Sequence, residues 1–122
     1  MSRKVALITG GSQGIGAATA RLLASKGYFV AMNYSSNTAK AEDVEKELGG
    51  QNAMTIQADA GHVTGIENIV QKTVQRCGRI DALVAAAAVF SLQGLADTTE
   101  DQFDNMMALN VKGPLFLAQV GV

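Results

Sequence analysis

Tryptophan is absent from the 122-residue chain, cysteine and proline occur once each, and charged side chains make up only 17% of it. The lone Cys77 excludes an internal disulfide and any cysteine-only metal cage. Neither sign of charge dominates. Ten basic and eleven acidic residues leave a formal net charge of −1, without the basic footprint of a nucleic-acid binder. Long hydrophobic runs are also missing: no stretch approaches the ~18 apolar residues of a membrane span. After Met1-Ser2-Arg3-Lys4 only residues 5–8 are continuously apolar before Thr9-Gly10-Gly11, too few for a secretory leader. A cytoplasmic soluble protein is the expectation. What is present is a hydrophobic content of 48% and 13 glycines, the composition of a buried sheet with tight turns rather than of a disordered chain. The length predicts one domain over residues 1–122.

Apolar runs and helical patterns alternate along the whole chain. Residues 5–8, 29–32, 53–57 and 82–88 read as strands, the first and last continuously apolar as in a sheet covered on both faces. Residues 15–26 have helical spacing, with Ile15, Thr19, Leu22 and Leu23 predicted on one face and Gly27 as the stop. A charged helix is predicted over 37–48. A third covers 65–77, with Ile66, Ile69, Val70, Thr73 and Val74 inward and Gly78 closing it. A last helix is predicted from Thr98, with Asp101 as capping-box partner and Phe103, Met106, Met107 and Val111 as its buried stripe. It is expected to run past Gly113-Pro114 with a kink. This order specifies an α/β fold: a Rossmann-like, doubly wound parallel sheet with strand order 3-2-1-4. The fourth strand is then left as an apolar edge, for another chain or a larger protein to cover.

Between the first strand and the first helix lies Thr9-Gly10-Gly11-Ser12-Gln13-Gly14-Ile15-Gly16. Glycines there allow positive φ and close main-chain approach to a pyrophosphate, and the helix start offers free N–H groups to the anion. A glycine cluster alone is a common turn. One that follows an apolar strand and opens an amphipathic helix points to dinucleotide binding. It is not a P-loop, because no Gly-Lys-Ser/Thr follows.

The segment Thr9-Gly-x-x-x-Gly14-x-Gly16 resembles the fingerprint of the short-chain dehydrogenase/reductase family, which binds NAD(H) or NADP(H). Asp59, followed by Ala60 after the third strand, resembles the family aspartate that hydrogen-bonds the adenine ring. Asp81 stands in the similar context Gly78-Arg79-Ile80-Asp81-Ala82-Leu83-Val84, and Asn110 resembles the helix asparagine of the catalytic tetrad. The resemblance covers the whole chain but only about the first half of a typical member. It implies a cofactor site of Gly10, Ser12, Gln13, Gly14, Ile15 and Gly16 at the pyrophosphate and adjacent ribose. It also implies Asn33, Tyr34, Ser35 and Ser36 at the adenosine ribose, Asp59-Ala60 at the adenine, and the backbone of Ala86, Ala87 and Ala88 at the nicotinamide ribose. No metal site is expected.

An NAD-preferring site of this kind carries an acidic residue about 20 positions after the glycine turn. The segment Asn33-Tyr34-Ser35-Ser36-Asn37 has none, which favours NADP(H), with NAD as the alternative. Asn33, Ser35 and Ser36 are candidate donors to a 2′-phosphate. Gln13 stands where NADP-users of the family often carry a basic residue, and Lys40 is the nearest replacement.

Two departures stand out. The family's Asn-Asn-Ala-Gly after the fourth strand is replaced by Ala85-Ala86-Ala87-Ala88, removing bracing amides. The family's proton donor is a tyrosine with a lysine four residues later, but Tyr28 and Tyr34 are followed at that spacing by Met32 and Thr38. The chain is therefore expected to be inactive alone. Two readings follow. One is the cofactor-binding half of a reductase acting on a small-molecule carbonyl or alcohol; the other is a non-catalytic nucleotide-binding or interaction module. Association, homo-oligomeric or otherwise, is expected through the edge strand and last helix. His62 and Ser91 read as loop residues, Cys77 as an unreactive thiol, and residues 42–47 as a solvated helix face.

Overall fold

A computed structural model describes residues 1–121 of the protein. Four strands, β1 (Val5–Thr9), β2 (Phe29–Tyr34), β3 (Ala53–Gln57) and β4 (Ala82–Ala85), pair in parallel in the order β3-β2-β1-β4. The helices are α1 (Gly14–Ser25), α2 (Thr38–Leu48), α3 (Val63–Cys77), α4 (Glu100–Met107) and α5 (Gly113–Gly121). This is the Rossmann-like topology that the alternating pattern specifies.

Strand side chains alternate faces, so a strand buried on both needs apolar residues throughout. In β1, Ala6 and Ile8 pack with Ala17, Ala20 and Val44 of α1 and α2. Leu7 packs on the opposite face with Ile66, Ile69 and Leu117 of α3 and α5. Two helical layers thus sandwich the sheet.

Asp81 ties the start of β4 to the start of β1. Its Oδ2 accepts the Val5 N–H at 2.8 Å, and its own N–H donates to the Val5 carbonyl at 2.8 Å. Arg79 grips the same carboxylate with two N–H donors at 2.8 and 2.7 Å.

The structure corrects several local expectations. On α1 the buried residues are Gly16, Ala17 and Ala20, while Ile15 (81% exposed) and Leu22 face solvent. The helix crosses so close to the end of β1 that only small residues fit the seam. A Cβ on Gly16 would lie 1.9 Å from the Gly10 carbonyl oxygen. On α3, which starts at Val63, Val74 is exposed, and Cys77 extends the buried stripe of Ile66, Ile69, Val70 and Thr73. Strand β4 stops at Ala85 rather than Ala88, because Ala85 pairs with Thr9, the last residue of β1, and Gly10 then turns away. Both glycine stops hold, with Gly27 at φ +92° and Gly78 at φ +76°.

The last helix is capped one residue later than expected. Thr99 Oγ1 accepts the Gln102 N–H and Gln102 Oε1 accepts the Thr99 N–H, while the Thr98 hydroxyl donates to the Gly94 carbonyl. The expected kink takes the form of a π-type segment, Ala108–Lys112, between α4 and α5. Pro114 brings no N–H to the helical ladder, so the turn before it must widen or bend. The stripe predicted as buried is largely open: Phe103 is 59% exposed, and Met107 and Val111 are exposed as well. Among the described residues, the substantial packing of α4 is with the π-type segment that continues it.

Candidate functional site

At the carboxyl edge of the sheet, where the chain leaves β1 toward one face and β4 toward the other, lies a cleft of about 750 Å³. This is the switch point at which ligands bind in open parallel sheets. Fourteen of the fifteen expected cofactor residues line it: Gly10, Ser12, Gln13, Gly14, Ile15, Gly16, Asn33, Tyr34, Ser35, Asp59, Ala60, Ala86, Ala87 and Ala88. Ser36 lies outside that lining. Gln57, Ala58 and Leu109 also line the cleft and were not anticipated. The first two follow from the rule that sites form at strand carboxyl ends; Leu109 arrives through the π-type segment and leaves no sequence signal.

The floor of the cleft is main chain. A Cβ on Gly10 would lie 2.8 Å from the Ala87 backbone, and the Ala87 N–H donates to Thr9 Oγ1 at 3.3 Å. Its upper wall is the first turn of α1. Gln13 at the N-cap makes no side-chain capping bond, so the opening N–H groups have no side-chain oxygen on them. Gly14 adopts φ +57°, and outside its own turn of helix and its chain neighbours no protein atom lies within 4 Å of where its Cβ would stand. Unfilled space above uncapped amides is what an anionic diphosphate requires. The cradle therefore fits the pyrophosphate of a dinucleotide.

Asn33 is buried and its amide is committed. Nδ2 donates to the Ile56 and Ala58 carbonyls at 3.2 and 3.0 Å, holding the end of β2 to the chain leaving β3. It is thus no donor for a 2′-phosphate, contrary to expectation. Asp59 presents an exposed carboxylate: Oδ1 accepts the Gly61 N–H at 2.8 Å, and Oδ2 lies 3.2 Å from His62 Nε2. His62, read from sequence as a loop residue, makes this contact from the N-cap position of α3.

Asn110 stands outside the cleft lining. Its side chain clamps the segment after β4, accepting the Val89 N–H at 2.9 Å and donating to the Val89 carbonyl at 2.8 Å. The alanine run before it strands nothing, since no buried side-chain nitrogen or oxygen among the described residues lacks a partner. Removing both partners of a hydrogen bond is nearly neutral, whereas orphaning one is costly. Burial pushes the Cys77 thiol up, against the opposing charge of Arg76, so the thiol stays protonated and inert. Among the described residues, no helix is long and apolar enough to cross a membrane.

The family model for short chain dehydrogenases matches residues 4–122. The chain belongs to the short-chain dehydrogenase family. Within it, the chain is 37% identical over 121 residues to a hydroxynaphthalene reductase of Aspergillus fumigatus, covering 98% of this chain and 44% of that protein. It is 36% identical over 118 residues to a versicolorin reductase of Emericella nidulans, covering 95% and 45%. Solved short-chain dehydrogenases share the fold. One from Burkholderia cenocepacia in complex with NADP superposes with a TM-score of 0.93 at 35% identity, covering 97% of this chain and 49% of that one. A blue fluorescent protein from a metagenomic library, in complex with NADPH, gives 0.92 at 34% identity over the same shares. This short-chain dehydrogenase chain spans about half the length of the relatives it matches.

Proposed function

We propose that the chain is the dinucleotide-binding part of an NADP(H)-dependent oxidoreductase interconverting a small-molecule carbonyl compound and its alcohol. One observation carries the reading: the uncapped first turn of α1, with Gly14 at φ +57° facing open space, over a cleft at the switch point of the sheet. The N–H groups of Gly14, Ile15 and Gly16 hold the pyrophosphate, Tyr34 and Ser35 meet the adenosine ribose, and Asp59 meets the adenine. The main chain of Ala86, Ala87 and Ala88 lies along the nicotinamide ribose. The bound cofactor supplies hydride transfer.

Carbonyl reduction also requires a proton donor at the substrate oxygen. The chain contains no Tyr-x-x-x-Lys, and Asn110 is engaged with Val89. In this reading the 122 residues bind and orient the cofactor, Asn110 holds the segment beside it, and the proton comes from elsewhere. The absence of an acidic residue in 33–37 supports NADP(H), as do the NADP and NADPH complexes among the structural relatives. The run Ala85-Ala86-Ala87-Ala88 favours a second reading, a nucleotide-binding module without catalysis.

Calorimetric titration with NADPH, together with an absorbance assay of NADPH oxidation by generic carbonyl compounds, tests both. Binding is expected, without turnover by the 122-residue chain. Turnover gained when a Tyr-x-x-x-Lys segment is supplied in the same polypeptide or in a partner selects the enzyme reading. Binding that never yields turnover selects the module, and absence of binding refutes both.

A further inference from the structure

The main cleft is lined by one charged side chain, Asp59, on the loop 58–62 between β3 and α3. That loop has little freedom of its own. A Cβ on Gly65, in the first turn of α3, would lie 2.0 Å from the Asp59 carbonyl oxygen. One on Gly113, at the start of α5, would lie 2.1 Å from the Ala60 carbonyl oxygen. Helix backbone thus presses on the loop from two sides, and the Asp59 side chain is the part left to turn. Both of its oxygens are engaged. Oδ1 is folded back on the Gly61 N–H at 2.8 Å, and Oδ2 faces His62 Nε2 at 3.2 Å. A carboxylate offers about four lone-pair positions, so each oxygen keeps one for a ligand. Of these two partners only the imidazole changes its charge near neutral pH. His62 stands at the N-cap of α3 without a side-chain capping bond, so its ring is free of the helix. Strand β3 and α5 carry no charged residue. The charged groups of the other elements around the loop, Glu67, Lys72 and Arg76 of α3 and Lys112 of the π-type segment, make no ion pair with either side chain.

We infer that His62 is a positioning residue that sets the grip of Asp59 on the base of the dinucleotide, firm while the imidazole is neutral and loosened when it is charged. This rests on the reading of the cleft as a dinucleotide site with Asp59 at the adenine, and adds a residue and a pH dependence that the reading does not contain. The neutral ring, as its Nε2–H tautomer, donates one ordinary hydrogen bond and leaves the carboxylate a full anion. The exocyclic amine of adenine then meets a charged acceptor, the stronger kind. An imidazolium at 3.2 Å offsets that charge at Oδ2, the oxygen not held by backbone, and the amine meets a weaker acceptor. The coupling is reciprocal: a base held at Oδ2 makes His62 harder to protonate, and a protonated His62 makes the base harder to hold. An ion pair between exposed groups adds little to folding, so the contact acts on the ligand rather than on stability. Hypoxanthine, with an oxygen in place of the amine, has no donor for Asp59 and is blind to the change.

NADP⁺ and its hypoxanthine counterpart test this by calorimetry on the 122-residue chain, from about pH 8 down to about pH 5.5, independently of any turnover. Their phosphates titrate alike, so the ratio of the two affinities reports the base end alone. The wild-type chain is expected to prefer the adenine form by at least ~10-fold at the upper pH and by ~3-fold or less at the lower. His62→Gln, which keeps a neutral donor, is expected to hold the ~10-fold preference across the range. Asp59→Asn is expected to abolish it throughout. Unchanged far-UV circular dichroism and melting temperature at each pH show that the variants fold. A wild-type preference that ignores pH, or a pH dependence that survives His62→Gln, overturns the role of His62 while leaving the dinucleotide reading standing. No preference at any pH removes Asp59 from the base, and this inference with it. If neither dinucleotide binds, the reading of the cleft itself falls.

Discussion

Two glycines in the first turn of α1 do different work at the scale of single atoms. Gly16 exists for packing: a methyl group there would meet the Gly10 carbonyl oxygen at 1.9 Å, and the main chain of Gly10 and Gly11 cannot give way as a side chain could. Gly14 exists for conformation and open space, with φ +57° and an empty surround. The two alanine variants are therefore expected to separate. Gly16→Ala should lower stability in urea unfolding by about 1–3 kcal/mol, the cost of overpacking. Gly14→Ala should cost about 1–2 kcal/mol from left-handed strain alone, yet weaken NADPH binding more than ~10-fold, because its methyl stands over the diphosphate seat. Equal effects of the two on binding would contradict the cradle. Asn33 and Asn110 teach a related lesson. Each carries an amide that looks available in the sequence, and each is spent on backbone, Asn33 on β3 and Asn110 on Val89.

Among the elements, the junction of β1 and β4 sets the floor of the cleft, and Asp81 sets that junction. The Arg79 guanidinium hydrogen-bonded to it, seconded by the Val5 N–H, holds its carboxyl below the ordinary aspartate range. A carboxyl depressed by folding stabilises the native state at all pH values above its unfolded pKa. That contribution is lost as pH falls through the lower folded value. Stability is thus expected to be insensitive to this group at neutral pH and to fall below about pH 4. Asp81→Asn should flatten that acid limb in denaturant midpoints measured across pH, and an unchanged limb would assign the loss to other carboxylates. Helix faces were less legible than strands. The facing of α1 is set by how closely it crosses β1, and the cap of α4 fell on Thr99 because Gln102 reciprocates where Asp101 does not.

For the molecule as a whole, the open feature is the apolar surface of its last third. Phe90, Leu92 and Leu95 precede the last helix, and Phe103, Val111 and Leu115 run along it, all exposed, with β4 at the adjacent sheet edge. Apolar area of this extent favours association. Sedimentation velocity is expected to show a concentration-dependent shift above the monomer, reduced by Phe103→Glu with Leu115→Glu. A monomer at all concentrations would oppose the expectation.

The chain's pattern of residues was sufficient for the strand order β3-β2-β1-β4, the glycine turn and fourteen residues of the cleft, because each depends on local signals: apolar runs, helical period, glycine spacing. The facing of α1, the length of β4 and the exposure of the α4 stripe were decided only in three dimensions. Where a side chain points depends on what packs against it, and a strand ends where its neighbour turns away. The contact of Lys40 with Gln13 belongs to the same class: 27 positions apart in sequence, they meet because α1 and α2 start side by side on one face of the sheet.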